Sequence, residues 1–168
     1  MNTNQLKPFA QKARNIIRNG VARQLLYWGF DEKGNIICQP KKVGGGVAHR
    51  EQPIDDPKIP AQWEALRLAV KRQGFDQVVE EAAYTWFNRI MAIRILAKNG
   101  YDLPQLDYSS DGAQIPLILQ RARRGQYAFL NSDEQTRLNR VLNDYTQEAK
   151  AFAILLTGYC HAHTLLNN

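Results

Sequence analysis

From Phe75 to Tyr101 the chain reads FDQVVEEAAYTWFNRIMAIRILAKNGY, and Phe75, Val79, Ala82, Ala83, Trp86, Ile90, Ile93 and Ala97 recur at steps of three and four. That is the period of one helix face. Val78, Phe87 and Leu96 widen the stripe, and Tyr84, Met91 and Ile95 add apolar positions on the far side. A helix apolar on nearly every flank has neighbours around it. The pattern therefore predicts a central buried helix over about 75–99, stopped by Asn99-Gly100. Trp86 belongs to its core, where truncation to Ala is expected to cost roughly 3–5 kcal/mol. Arg89 and Arg94 fall inside or beside the apolar stripe. Buried guanidinium groups need a carboxylate or carbonyls, so both are read as structural ties, together with Trp86, Phe87 and Asn88.

The remaining elements follow from the same periodicity. Thr3 or Asn4 caps a first helix to about Tyr27, with Leu6, Phe9, Ala10, Ala13, Ile16 or Ile17, Gly20 and Leu25 inward and Gly20 marking close packing or a break. Pro60 opens a helix that turns Trp63, Leu66 and Val70 inward and ends at Gly74. Ser110 to Gly112 is turn chemistry, and a helix from about Gln114 to Arg124 takes Pro116 in its first turn. Ser132 with Gln135 makes a capping box. Beyond it Leu138, Leu142, Tyr145, Ala149, Phe152, Leu156, Tyr159, His163 and Leu166 form a heptad-like seam, on one long helix or on two joined near Asn143 to Thr146. Residues 29–60 differ in texture. There Asn35 to Gln39 is β-prone and pairs with Val47 to Ile54 around Gly44-Gly45-Gly46. The fold class is all-α: a bundle of about five to seven helices around the helix at 75–99, with a short β hairpin or irregular basic insert near 34–54, in a single domain over 1–168.

Charge adds a direction. The net charge is +6, and it is lopsided. Residues 1–74 hold 13 Lys and Arg against 6 Asp and Glu, whereas residues 75–168 hold 9 against 10. A basic half suggests a polyanionic partner. Lys7, Arg14 and Arg18 fall close together on the first helix, and Lys41, Lys42 and Arg50 lie in the insert. These six are the candidate contacts to duplex DNA, since Lys and Arg neutralise phosphates without reading sequence; a solvated face is the alternative. No apolar run is long enough to span a membrane, no signal-peptide core opens the chain, and two cysteines make no disulfide framework. These features predict a cytoplasmic protein.

Catalytic chemistry is hard to place. Cys160-His161-Ala162-His163 has metal-binding residue types, but zinc needs about four converging ligands; the rest would come from Cys38 or His49, far away in sequence. No metal site is expected. Glu80-Glu81 reads as a helix-start charge pair. Gly44-Gly45-Gly46 is not a phosphate loop, because no Gly-Lys-Ser/Thr follows.

EEAAYTWFNRIMAIRILAKNGY resembles a segment near the start of PglX, the adenine-specific DNA methyltransferase of BREX phage-defence systems. The opening MNTNQLKPFAQKARNIIRNGVARQL, the turn from Asp107 to Gly112 with its following helix, and AFAILLTGYCHAHTLLNN fit the same pattern, so the resemblance touches most of the chain. It implies an activity for a parent protein: methyl transfer from S-adenosylmethionine to adenine. Such an enzyme needs a strand with a glycine-rich turn and an Asn/Asp-Pro-Pro-aromatic loop beside the flipped base. Neither motif occurs in residues 1–168. The resemblance thus implies the non-catalytic N-terminal helical domain, which holds no cofactor itself, braces the catalytic domain, and has duplex DNA and other defence-system subunits as partners. The alternative is a helical protein-interaction module or standalone adaptor without DNA binding.

Overall fold

In a computed structural model the described residues are 3–44, 46–54, 56–109, 114–163 and 166, with side chains described from residue 7 onward. Six α-helices and one small sheet account for the regular structure among them: α1 (Thr3–Tyr27), β1 (Lys41–Val43), β2 (Gly46–His49), β3 (Gln52–Ile54), α2 (Ile59–Gln73), α3 (Phe75–Lys98), α4 (Leu117–Arg123), α5 (Ser132–Val141) and α6 (Glu148–Ala162). The chain is mostly helical with a short β element, as the periodicity predicts. It divides into two compact units, Met1–Phe87 and Asn88–Asn168, and α3 contributes its first half to one and its second half to the other.

In the first unit Leu25, Phe30, Trp63, Val70, Phe75, Val78 and Val79 form the core. It is built on the last turns of α1, so Phe9, expected to face inward, is 53% exposed, and of Ile16 or Ile17 the former is 61% exposed and the latter half-buried. Gly20 neither breaks α1 nor lets a neighbour approach: the helix runs through it, and a Cβ built there meets nothing within 4 Å. A glycine inside a helix with open space around it costs backbone entropy and gains nothing in the fold. Gly20→Ala is therefore expected to raise stability by about 0.5–1 kcal/mol, read as a higher urea midpoint.

The insert pairs differently from expectation. The segment from Asn35 to Gln39 makes no strand beyond an isolated Phe30–Ile36 bridge. Instead β1, β2 and β3 form an antiparallel sheet in that order. The run from Val47 to Ile54 is itself two strands. They join through Arg50 (φ 51°) and Glu51 (φ 66°), with His49 opposite Gln52. Two central residues at positive φ are the geometry that matches hairpin twist, and here it is adopted without glycine or asparagine, which hid the turn from the sequence.

α3 is apolar mainly on one side. Phe75, Val78, Val79, Ala83 and Ile93 are buried, whereas Tyr84 and Ile95 are more than half exposed. Trp86 is half-buried, so its truncation costs less than a fully buried indole would.

In the second unit α4 starts three residues later than expected. A residue before proline is disfavoured in the helical region, and Pro116 itself is extended (ψ 140°) and serves as the N-cap. The orphan amides of Leu117 and Ile118 donate to the carbonyls of Asp107 and Gln105. The turn expected at Ser110–Gly112 lies outside the described residues. The capping box is one residue earlier than expected: the Asn131 side chain accepts from the Glu134 amide, and the Glu134 carboxylate accepts from the Asn131 amide.

The heptad-like seam does not run as one rod. It breaks at a 3-10 turn over Tyr145–Gln147, capped by the Asp144 carboxylate, and leaves Tyr145 75% exposed. Ala151, Leu155, Leu156, Tyr159 and Cys160 then form the buried face of α6. Gly158 sits so close to α5 that a Cβ there would lie 2.1 Å from a Leu130 methyl and 3.2 Å from the Glu134 carboxylate.

Candidate nucleic-acid interface

The six cations singled out by charge divide into two groups. Arg14 Nη2 donates to Glu80 Oε2 at 2.6 Å, and Arg18 Nε donates to Glu80 Oε1 at 2.6 Å. Arg18 Nη2 reaches Asp76 Oδ1 at 3.3 Å. These two arginines tie α1 to α3. Glu81, beside Glu80, accepts from Gln77 at 3.0 Å.

Arg50 has a local task as well. Its Nε and Nη2 donate to the carbonyls of Tyr27 and Leu26 at 3.0 and 2.9 Å. His49 Nε2 lies 2.6 Å from the same Tyr27 carbonyl, and Trp63 Nε1 donates to Trp28 O at 2.9 Å. The last carbonyls of a helix have no intrahelical partner, and a cation there opposes the aligned peptide dipoles. Side chains from the hairpin and α2 thus close the end of α1.

Lys7, Lys41 and Lys42 form the second group. All three are exposed, and among the described residues no ion pair engages them.

The Glu80 carboxyl is held below the ordinary glutamate range, first by its hydrogen bond to Arg14 and then by that to Arg18. A carboxyl whose pKa is depressed in the folded state contributes stability above its unfolded pKa. That contribution is lost as pH falls through the folded value. Glu80→Gln is therefore expected to flatten the decline of the thermal midpoint as pH drops through and below the glutamate range. The difference should shrink in high salt, because the pair is open to solvent. Identical pH profiles for the two proteins would show that the pair is not coupled to folding.

The residues read as structural ties lie on α3. Phe87 is half-buried and Asn88 exposed. Arg89 is half-buried, and its Nε donates to the Leu166 carbonyl at 3.0 Å. Arg94 is exposed and reaches Asp107 Oδ1 at 3.5 Å.

In the Cys160–His163 stretch the side chains part company. Cys160 is buried, and that burial raises its thiol pKa. His161 faces Glu134 at 3.7 Å, and His163 Nε2 meets Asp102 Oδ2 at 3.1 Å. No cluster of three or more His, Cys, Asp or Glu suited to a metal occurs among the described residues. Asp102 also accepts from the Tyr159 hydroxyl. This Asp102–Tyr159–His163 cluster is invisible in the sequence, because its members belong to a loop and a helix far apart in the chain.

A shallow depression of about 130 Å³ lies between Trp28 and the face of α2 carrying Ile59, Gln62, Trp63 and Leu66. That is well below the roughly 300–1,000 Å³ of sites that bury a small molecule. Among the described residues no helix is long and apolar enough to cross a membrane.

Comparison with known proteins finds a similarity to an adenine-specific methyltransferase. Across 171 aligned residues, 96% of this chain, it is 32% identical to the adenine-specific methyltransferase BrxX of Escherichia coli O9:H4 (strain HS). It spans 14% of that protein's length. No family model matches the chain. The similarity to this methyltransferase runs over nearly all of the chain's own length.

Proposed function

We propose that this chain is the non-catalytic N-terminal helical domain of a PglX-like, S-adenosylmethionine-dependent, adenine-specific DNA methyltransferase of a phage-defence system. It braces the catalytic domain and touches the DNA backbone, in the cytoplasm. The observation that carries this reading is the 32% identity along 96% of the chain to a methyltransferase of which it spans only 14%. The residues themselves agree with it. A methyl-donor site of the doubly wound kind rests on parallel strands leading into helices, whereas the described sheet is three short antiparallel strands. Methyl transfer is accordingly assigned to polypeptide outside these 168 residues. S-adenosylmethionine would be held there, and no step of the reaction is routed through this chain. Of the six candidates, Lys7, Lys41 and Lys42 are the ones open to phosphate; Arg14, Arg18 and Arg50 reach it only alongside their carboxylate or carbonyl partners.

A chimera tests the proposal: BrxX with this chain in place of the segment it matches. Retained adenine methylation in cells is expected. Loss of methylation with normal expression and folding would reject the bracing role. Binding of the isolated chain to duplex DNA, weakening steeply with salt, tests the backbone contact separately. The second reading, a protein-interaction module, draws on Tyr101, Leu103 and Tyr108, which are 81%, 60% and 63% exposed. Retained methylation in a chimera bearing Tyr101→Ser, Leu103→Ser and Tyr108→Ser would reject a partner surface there.

A further inference from the structure

Helix α1 carries a second apolar face that the described residues leave largely open. Phe9, Ala13, Ile16 and Gly20 follow one another at steps of four, three and four, so they share one stripe of the helix. Phe9 and Ile16 are more than half exposed, and a Cβ at Gly20 meets nothing within 4 Å. By helical spacing the stripe lies opposite the side from which Arg14 and Arg18 reach Glu80 and Asp76.

The four side chains alternate large and small. That order suits a second helix, whose own side chains fill the notches at Ala13 and Gly20 while Phe9 and Ile16 enter its grooves. It suits a lipid surface poorly, since acyl chains gain from large apolar side chains and little from alanine or glycine. A phosphate-lined duplex offers Phe9 and Ile16 no apolar partner.

Charge and size narrow the occupant further. α1 has five Lys and Arg and no Asp or Glu. Lys12 stands three residues after Phe9 and four before Ile16, and Arg23 stands three after Gly20, so both flank the stripe. Among the described residues no ion pair engages either of them. A second copy laid along the stripe would add cations and bring no carboxylate from its own α1. The complement is an apolar helix with Asp or Glu along one flank. From Phe9 to Gly20 is only about 16 Å of helix, whereas free partners bury roughly 800 Å² apiece in a stable complex. So small a patch suffices for a partner on the same polypeptide, which is present at high effective concentration.

We propose that the stripe of Phe9, Ala13, Ile16 and Gly20 docks an acid-flanked apolar helix from the remainder of the methyltransferase polypeptide, with Lys12 and Arg23 meeting its carboxylates. The proposal rests on the bracing role proposed above and gives that role a contact surface. It also gives Gly20, which the fold of this chain does not require, a reason to lack a side chain.

Backbone hydrogen exchange over residues 9–20 is compared between the 168-residue chain and the BrxX chimera. That half of α1 is expected to exchange roughly tenfold more slowly in the chimera. Ile16→Ser, Gly20→Leu and the pair Lys12→Glu with Arg23→Glu are each expected to remove most of the difference. Gly20→Leu should do so while leaving the 168-residue chain at least as stable as the parent. An active chimera without added protection would overturn the surface and leave the bracing role standing. Protection that survives Ile16→Ser and Gly20→Leu would overturn it too, and protection that survives the charge reversal would overturn the acidic flank. Concentration-dependent protection in the 168-residue chain alone would give the stripe to a second copy, and protection induced by anionic vesicles would give it to a membrane. A folded chimera without methylation would remove the bracing role and this surface together.

Discussion

Gly29→Ala is expected to lose about 2–5 kcal/mol, from two effects that act together. Gly29 has φ 93°, a left-handed conformation that a Cβ disfavours by roughly 1–2 kcal/mol. A Cβ there would also lie 2.0 Å from the Cys38 carbonyl oxygen and 2.7 Å from its carbon. Those are backbone atoms, which cannot swing aside as a side chain does, and overpacking of this kind adds about 1–3 kcal/mol. The same segment is held by two amides, of Ile37 and Cys38, donating to the Gly29 carbonyl at 2.8 and 3.2 Å. Separating the chains to admit a methyl group loses those bonds. Gly125→Ala is the control: φ is 80° with nothing within 4 Å of a Cβ, so only the strain applies. Urea midpoints check the pair, and equal losses would show that the Gly29–Cys38 approach is looser than described.

Trp63→Ala should cost about 4 kcal/mol, within the range for truncating a buried indole. Trp63 is 8% exposed, stacks on Phe30 with ring centroids 5.8 Å apart, and donates to the Trp28 carbonyl at 2.9 Å. The substitution therefore empties part of the core and strips the partner from a carbonyl just past α1. Trp63→Phe separates the terms: it keeps most of the ring volume and should cost about 1–2 kcal/mol, mainly for the lost hydrogen bond. Trp86→Ala, at a half-buried position, should fall well below Trp63→Ala. The reverse order would mean that the weight of the first core lies on α3 rather than between α2 and the end of α1.

How far the candidate interface was legible follows from what each residue needs. That residues 1–74 are basic is a count, and a count is complete without coordinates. The roles of Arg14 and Arg18 are not, because Glu80 and Asp76 lie more than fifty residues away along the chain. Helical spacing shows that two arginines share a face but not which carboxylate that face meets. Arg50 misleads for a related reason. Its guanidinium looks like a free surface cation in sequence, yet the Arg50–Glu51 turn aims it at the end of α1. Arg14 and Arg50 are exposed but engaged, whereas among the described residues no ion pair engages Lys7, Lys41 or Lys42.

Local rules by themselves determined the helices. Period, proline and glycine set α1, α2 and α3 to within a residue or so, since each of those signals acts over one or two turns. The likeness to a methyltransferase lies in residue identities and likewise needs no coordinates. Pairing across distance was decided by the tertiary structure alone: that β2 chooses β1 and β3 rather than the 35–39 segment, and that Arg89 meets Leu166. A strand or a cation has many chemically equivalent partners along a chain, and which one it takes depends on the geometry of everything packed between them.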